Sequence, residues 1–152
     1  MKAGEAFGLK PCGLGARDLL RLEVGYLLYG NDMDEETTPL EANAAFAVDF
    51  TKGDFVGRQA LLDQKAKGPD KRLVGFELIE KGVPRHGMTV LADGKGIGVV
   101  TSGNLSPRLQ KGIGLASVQA SFSEPGRRFQ VDIRGRLQDA VCVKPPFYKR
   151  RN

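Results

Sequence analysis

The chain holds no tryptophan, one histidine and two cysteines in 152 residues. Each scarcity removes a class of chemistry. The lone histidine, His86, excludes a multi-histidine metal site, and the hydroxyls of Thr101, Ser102 and Ser106 have no adjacent base to activate them. Cys12 and Cys142 stand far apart, so a disulfide framework is excluded and a reducing, cytoplasmic setting is expected. No apolar run approaches the roughly eighteen residues of a membrane-spanning helix, and no secretory leader pattern is read, so no membrane is expected. Basic motifs interleaved with aromatics and zinc-ligand spacings are both missing, so nucleic acid is not an expected partner.

What the chain has in quantity is turns. Twenty glycines and eight prolines are scattered along it, the texture of many short strands. With 41% apolar and 27% charged residues, the composition is that of a globular chain long enough to bury a core without staples. The net charge is +5, with basic residues gathered at Arg127-Arg128, at Arg134 and Arg136, and at Lys149-Arg150-Arg151. Such a balance favours anionic partners, although charge runs most often form a solvated face.

Residues 16 to 29 read as a helix. Leu20, Val24, Leu27 and Leu28 share one face at a 3.6 period, and Gly30-Asn31 tolerates a left-handed stop. Thr38-Pro39-Leu40-Glu41 has the form of a helix start: Thr38 caps, Pro39 fits the first position and Glu41 bonds back to the cap. A short helical turn there should pass into a strand near Phe46 to Phe50. Asp54 is placed to cap a second helix carrying Leu61 and Leu62, which Gly68-Pro69 stops. After that the texture changes. Leu73 to Ile79, Thr89 to Ala92, Ile97 to Thr101, Ile113 to Val118, Phe129 to Arg134 and Leu137 to Val143 are short, Val/Ile-rich and bounded by turn residues. Asp93-Gly94 and Arg134-Gly135 read as hairpin turns. Six strands with no helical pattern between them predict an antiparallel barrel or sandwich. The expected fold class is α+β, a helical segment over residues 1–70 followed by a β domain over residues 71–152.

Several motifs invite a functional reading. Gly13 with Gly15, and Gly94 with Gly96 and Gly98, lack the strand–turn–helix context of a phosphate loop. Arg17 and Arg21 project from one helical face, where an anion would relieve their repulsion. Asp18, three residues before Arg21, is the simpler partner. Gly25 removes a side chain one turn after Arg21, leaving room for a ligand or an adjacent backbone, and arginine suits planar, bidentate recognition of a carboxylate. Tyr26 and Tyr29 suit half-buried packing better than stacking on a ligand. Asn31, Asp32, Asp34, Glu35 and Glu36 lack the order of a calcium loop and read as a solvated turn. His86 lies in a turn-rich link, where a histidine most often anchors backbone. Cys142 reads as a buried strand residue, and Cys12 as exposed.

The run from Gly15 through Asp32, followed by Thr38-Pro39-Leu40-Glu41, closely resembles the folate-dependent aminomethyltransferases, the T-proteins of the glycine cleavage system. The likeness extends to Lys52-Gly53-Asp54-Phe55-Val56-Gly57-Arg58-Gln59, Pro84-Arg85-His86-Gly87, Gly98-Val99-Val100-Thr101-Ser102-Gly103 and Pro146-Phe147-Tyr148-Lys149-Arg150. The Lys52 stretch differs from the one that related iron–sulfur maturation factors carry. The resemblance is to the C-terminal part of the family, and it implies a barrel for the β domain. It also implies a reaction. A T-protein takes an aminomethyl carbon from the lipoyl arm of H-protein, releases ammonia and passes the carbon to tetrahydrofolate, without a metal. The family's catalytic aspartate and its pterin-gripping glutamate belong to the N-terminal half and have no counterpart here. No catalytic residue is therefore assigned, and the chain alone is expected to be inactive. Arg21 falls on a family arginine that contacts folate, and Tyr148 or Arg150 on a contact to the folate tail. The other readings are a stand-alone, non-catalytic β-barrel module for binding or interaction, and a folate-dependent relative using another methyl donor. The apolar stripe of the first helix needs a cover, and a homodimer of this chain is one way to supply it.

Overall fold

A computed structural model describes residues 2–149. The chain passes through α1 (Lys2–Glu5), α2 (Leu14–Glu23) and α3 (Arg58–Lys67) before entering six strands. These are β1 (Lys71–Leu78), β2 (Thr89–Ala92), β3 (Lys95–Ser106), β4 (Lys111–Gln119), β5 (Arg128–Ile133) and β6 (Arg136–Val143). Every pairing is antiparallel, and the order β1-β4-β3-β2-β5-β6 closes into a barrel where β6 returns to β1. The seams differ in length. β3 and β4 share eight register pairs, whereas β2 and β5 share two, Val90 with Val131 and Leu91 with Gln130. The expected α+β class holds, and each of the six expected strands is present.

Alternation fills the barrel. Phe76, Val100, Val118 and Val131 point inward and are fully buried, with the Phe76 ring edge-on to Phe129 at 5.9 Å between centroids. β1 and β4 are buried on both faces. Leu73, Ile113 and Leu115 turn outward and meet Leu22 of α2 in a second cluster. Full burial of a leucine such as Leu22 contributes about 1.5–3 kcal/mol. The two hairpin turns form as expected: Asp93 and Gly94 take φ of 50° and 72°, and Arg134 and Gly135 take 56° and 81°. Both central residues are left-handed, as a type I′ turn requires.

The N-terminal segment departs from expectation in several places. The first helix stops at Glu23, not near Tyr29. Gly25 adopts φ +77°, its N–H bonds to the Leu22 carbonyl (2.9 Å), and the Tyr26 N–H reaches the Arg21 carbonyl (2.8 Å). This is a Schellman ending. The space that Gly25 clears is taken by Pro145, whose Cβ lies 2.5 Å from where a Gly25 Cβ would sit. The expected buried stripe is also displaced. Leu22 is the fully buried apolar residue of α2, whereas Leu20 is 63% exposed. Thr38 and Glu41 do exchange reciprocal bonds, Thr38 N–H to Glu41 Oε2 (3.0 Å) and Glu41 N–H to Thr38 Oγ1 (3.2 Å). Yet the capping box opens only a turn, and residues 46 to 50 form no strand. A 3₁₀ turn spans Ala45–Ala47, and Phe46, 92% exposed, has no neighbouring strand to pair with. Finally, α3 is preceded by Gly57 and begins at Arg58, so Asp54 bonds only the adjacent Phe55 N–H and caps nothing. The expected stop at Gly68 holds.

Candidate functional site

α2 lies across β3 and β4, held there by Leu22 and by two polar contacts. Ser106 Oγ of β3 donates to Glu23 Oε1 at 2.5 Å, and Arg21 Nη2 donates to Ser102 Oγ at 2.8 Å. The first contact buries Glu23, and the second fixes one corner of the Arg21 guanidinium.

Arg21 is the hub of the site. Nε and Nη2 both donate to Asp18 Oδ1, at 2.8 and 2.6 Å. Nη1 donates to Asp32 Oδ2 at 2.6 Å and to the Tyr26 carbonyl at 3.3 Å. With Ser102 included, each of the five guanidinium N–H donors has an acceptor. The simpler partnership with Asp18 is therefore present, and a second carboxylate joins it. The two are not alike. The Asp18 side chain is 39% exposed, the Asp32 side chain is wholly buried, and that of Arg21 between them is 13% exposed.

Asp32 departs from the solvated turn expected of its acidic run. Its Oδ2 also accepts the Leu28 N–H (2.9 Å), and its Oδ1 accepts Thr101 Oγ1 (2.6 Å) from β3. Burying a carboxylate requires such partners. The neighbouring Asp34 does lie in an exposed turn, where it accepts from Glu36 N–H and Thr37 Oγ1. The Thr101 carbonyl accepts from His86 Nδ1 at 2.8 Å, so the lone histidine anchors backbone as expected. Because a carbonyl only accepts, Nδ1 carries the proton.

Arg21 opens onto a groove of about 490 Å³, lined by Leu14, Arg17, Leu20 and Tyr26 among others. Tyr26 is 70% exposed, and Tyr29 is exposed too, so neither is the half-buried packing residue expected. A second cleft, about 420 Å³, runs between Tyr26, Phe46 and the barrel residues Leu73 and Lys144. Tyr148 is placed by its N–H, which bonds the Glu23 carbonyl at 3.0 Å, and by the Arg108 guanidinium 4.3 Å from its ring centroid. Tyr148 is thereby brought to the last turn of α2, its N–H bonded two residues from Arg21. Arg150 lies outside the described residues. Cys142 is buried, and burial pushes its thiol pKa up, whereas Cys12 is exposed. Among the described residues, no three His, Cys, Asp or Glu side chains gather as a metal site would require, and no helix is long and apolar enough to cross a membrane.

Sequence reasoning singled out Arg21 but missed Asp32, Thr101, Ser102 and the Glu23–Ser106 contact. Their partners lie 69 to 83 residues apart in sequence, and no local pattern encodes such pairs.

Comparison with known proteins finds matches over most of the chain. The model of the glycine cleavage T-protein C-terminal barrel domain matches residues 71–149, and that of the GCVT N-terminal domain matches residues 1–52. The probable aminomethyltransferase of Pyrococcus horikoshii is 51% identical over 157 residues, an alignment covering 97% of this chain and 39% of the relative. The aminomethyltransferase of Bacteroides thetaiotaomicron is 49% identical over 150 residues, covering 97% of this chain and 42% of the relative. Among solved structures, the glycine cleavage system aminomethyltransferase T from Bartonella henselae superposes with a TM-score of 0.84 at 34% identity, over 90% of this chain and 39% of that one. The chain thus spans about two fifths of the length of the curated relatives it matches. With its six-stranded barrel, the matched model and relatives at half identity, the chain belongs to the glycine cleavage T-protein family of aminomethyltransferases.

Proposed function

We propose that this chain forms the C-terminal portion of an aminomethyltransferase that moves the aminomethyl carbon from lipoylated H-protein to tetrahydrofolate with release of ammonia, in the cytoplasm. In this reading residues 71–152 are the barrel domain, and residues 1–70 are the segment on the folate side. The observation that carries the proposal is the Arg21 site. A guanidinium braced by Asp32 and Ser102 at the rim of an open groove suits a carboxylate-bearing ligand. The glutamyl end of folate is such a ligand, with Arg21 as its main contact and Tyr148 or Arg150 as the residue for its tail.

The chain itself supplies binding and positioning. The carboxylate that would assist the chemistry has no counterpart in it, and losing a general acid or base typically costs about 10²–10⁴-fold in rate. The test supplies aminomethylated H-protein and tetrahydrofolate to the chain, with and without an N-terminal T-protein polypeptide. Methylene-tetrahydrofolate is expected only when both polypeptides are present. Turnover by the chain alone would overturn the division of labour, and no turnover in the mixture would overturn the assignment. Folate binding in that mixture without turnover would favour the non-catalytic module. Arg21→Ala should raise the tetrahydrofolate dissociation constant by about ten- to a hundred-fold, the equivalent of one charge-assisted hydrogen bond.

A further inference from the structure

Arg21 carries two carboxylates, and their settings are opposite. Asp32 sits on the inner edge of the guanidinium, closed to water, and is itself tied to the Leu28 N–H and the Thr101 hydroxyl. Asp18 sits on the other edge, three residues back on the same helix. It is part-exposed, uses one oxygen for both contacts, and has no other hydrogen-bond partner among the described residues. That edge, Nε with Nη2, is the planar fork to which a ligand carboxylate binds with two oxygens. Since all five donors are taken, no anion reaches Arg21 without displacing an acceptor.

We propose that Asp18 is a place-holding carboxylate, which a carboxylate ligand displaces from the outer edge of Arg21 while Asp32 keeps the inner edge fixed. The inference rests on the folate reading of Arg21 and adds to it an internal competitor and a positioning residue. Part-exposed ion pairs one turn apart are weak, so Asp18 is cheap to displace. Its displacement leaves no buried charge behind, because the side chain is already 39% exposed. Asp32 cannot leave in the same way, since it would strand both Thr101 and the Leu28 N–H. The device keeps the guanidinium aligned when no ligand is bound and lowers apparent affinity by the fraction of time Asp18 holds the fork.

The two aspartates are therefore expected to act with opposite sign. The 152-residue chain is titrated with tetrahydrofolate to millimolar concentration and followed through the backbone amide resonances of α2. Tetrahydropteroate, which lacks the glutamyl carboxylates, is the control. Asp18→Asn should tighten tetrahydrofolate about two- to five-fold and leave tetrahydropteroate unchanged. Asp32→Asn should weaken tetrahydrofolate about ten-fold. Where Asp32→Asn fails to fold, Thr101→Val removes only the Asp32 bond to β3 and should weaken binding by a smaller factor. In an Arg21→Ala background, Asp18→Asn should have no further effect; a persistent tightening there would mean a general charge effect and overturn the competition. If Arg21→Ala weakens binding but Asp18→Asn does not tighten it, the place-holder fails while the folate reading stands. If Arg21→Ala leaves binding unchanged, or the chain binds no tetrahydrofolate, the folate reading and this inference fail together.

Discussion

The most exposed large apolar residue of the barrel, Leu137, is 53% exposed, whereas ahead of the barrel Phe46, Phe7, Leu14 and Tyr26 range from 92% to 70%. The barrel satisfies its apolar residues internally, because antiparallel strands paired in a ring give each inward side chain neighbours across the lumen. The segment has no such enclosure. Its one fully buried large side chain, Leu22, is buried by borrowing the outer face of β1 and β4. One chain thus holds a finished core in one region and an unfinished surface in the other. Exposed apolar side chains of this size suit cover by another polypeptide. A T-protein N-terminal portion or a second copy of this chain would each meet that need.

The contrast can be broken first in the barrel. Phe76→Ala empties the centre of the lumen and should cost about 3–5 kcal/mol by urea unfolding, with the whole transition moving as one. A small loss would mean that the lumen is not the source of stability. The junction comes next. Gly25→Ala forces a β-carbon into the left-handed region and against Pro145. It should cost about 1–3 kcal/mol. Amide exchange should quicken in α2 and leave the barrel strands protected; equal acceleration in both would show that segment and barrel unfold as one unit.

A pH experiment probes how well the barrel excludes water. Burial raises the Cys142 thiol above its ordinary value of 9.0. The thiol stays protonated in the folded chain at a pH where the unfolded chain ionises. Its contribution is therefore intact below the unfolded pKa and is lost as pH rises through the folded one. Stability should decline above about pH 9 by at most 1.4 kcal/mol per unit, and Cys142→Val should flatten that decline. The smallest effect is expected in the segment. Leu20→Ser should change stability by no more than about 0.5 kcal/mol. If a second copy covers the groove, it should shift sedimentation toward monomer; unchanged sedimentation would argue against a homodimer through α2.

The two regions also differed in how far the sequence could be read. All six strands, both hairpin turns and the end of α3 at Gly68 were legible, because short Val/Ile runs between turn residues are decided locally. In the segment, tertiary context overrode local signals. The apolar period runs on through Leu27 and Leu28, but Gly25 and the nearby Pro145 end the helix six residues early, at Glu23 rather than Tyr29. The capping box at Thr38 formed its bonds without producing a helix. Of the candidate site, Arg21 and Asp18 were legible from spacing within one helix. Asp32 was hidden in an acidic run, since its burial depends on Thr101 of β3.

Closure of the ring has a consequence for how this chain meets others. With β6 back on β1, the ring has no terminal edge strand to extend, so recognition there favours side chains on its faces. The ring has one thin place. Between β2 and β5 only two residue pairs join, and any transient gap in the wall opens there at the least expense of hydrogen bonds. A cage built this way is inert along most of its perimeter and vulnerable at one stitch.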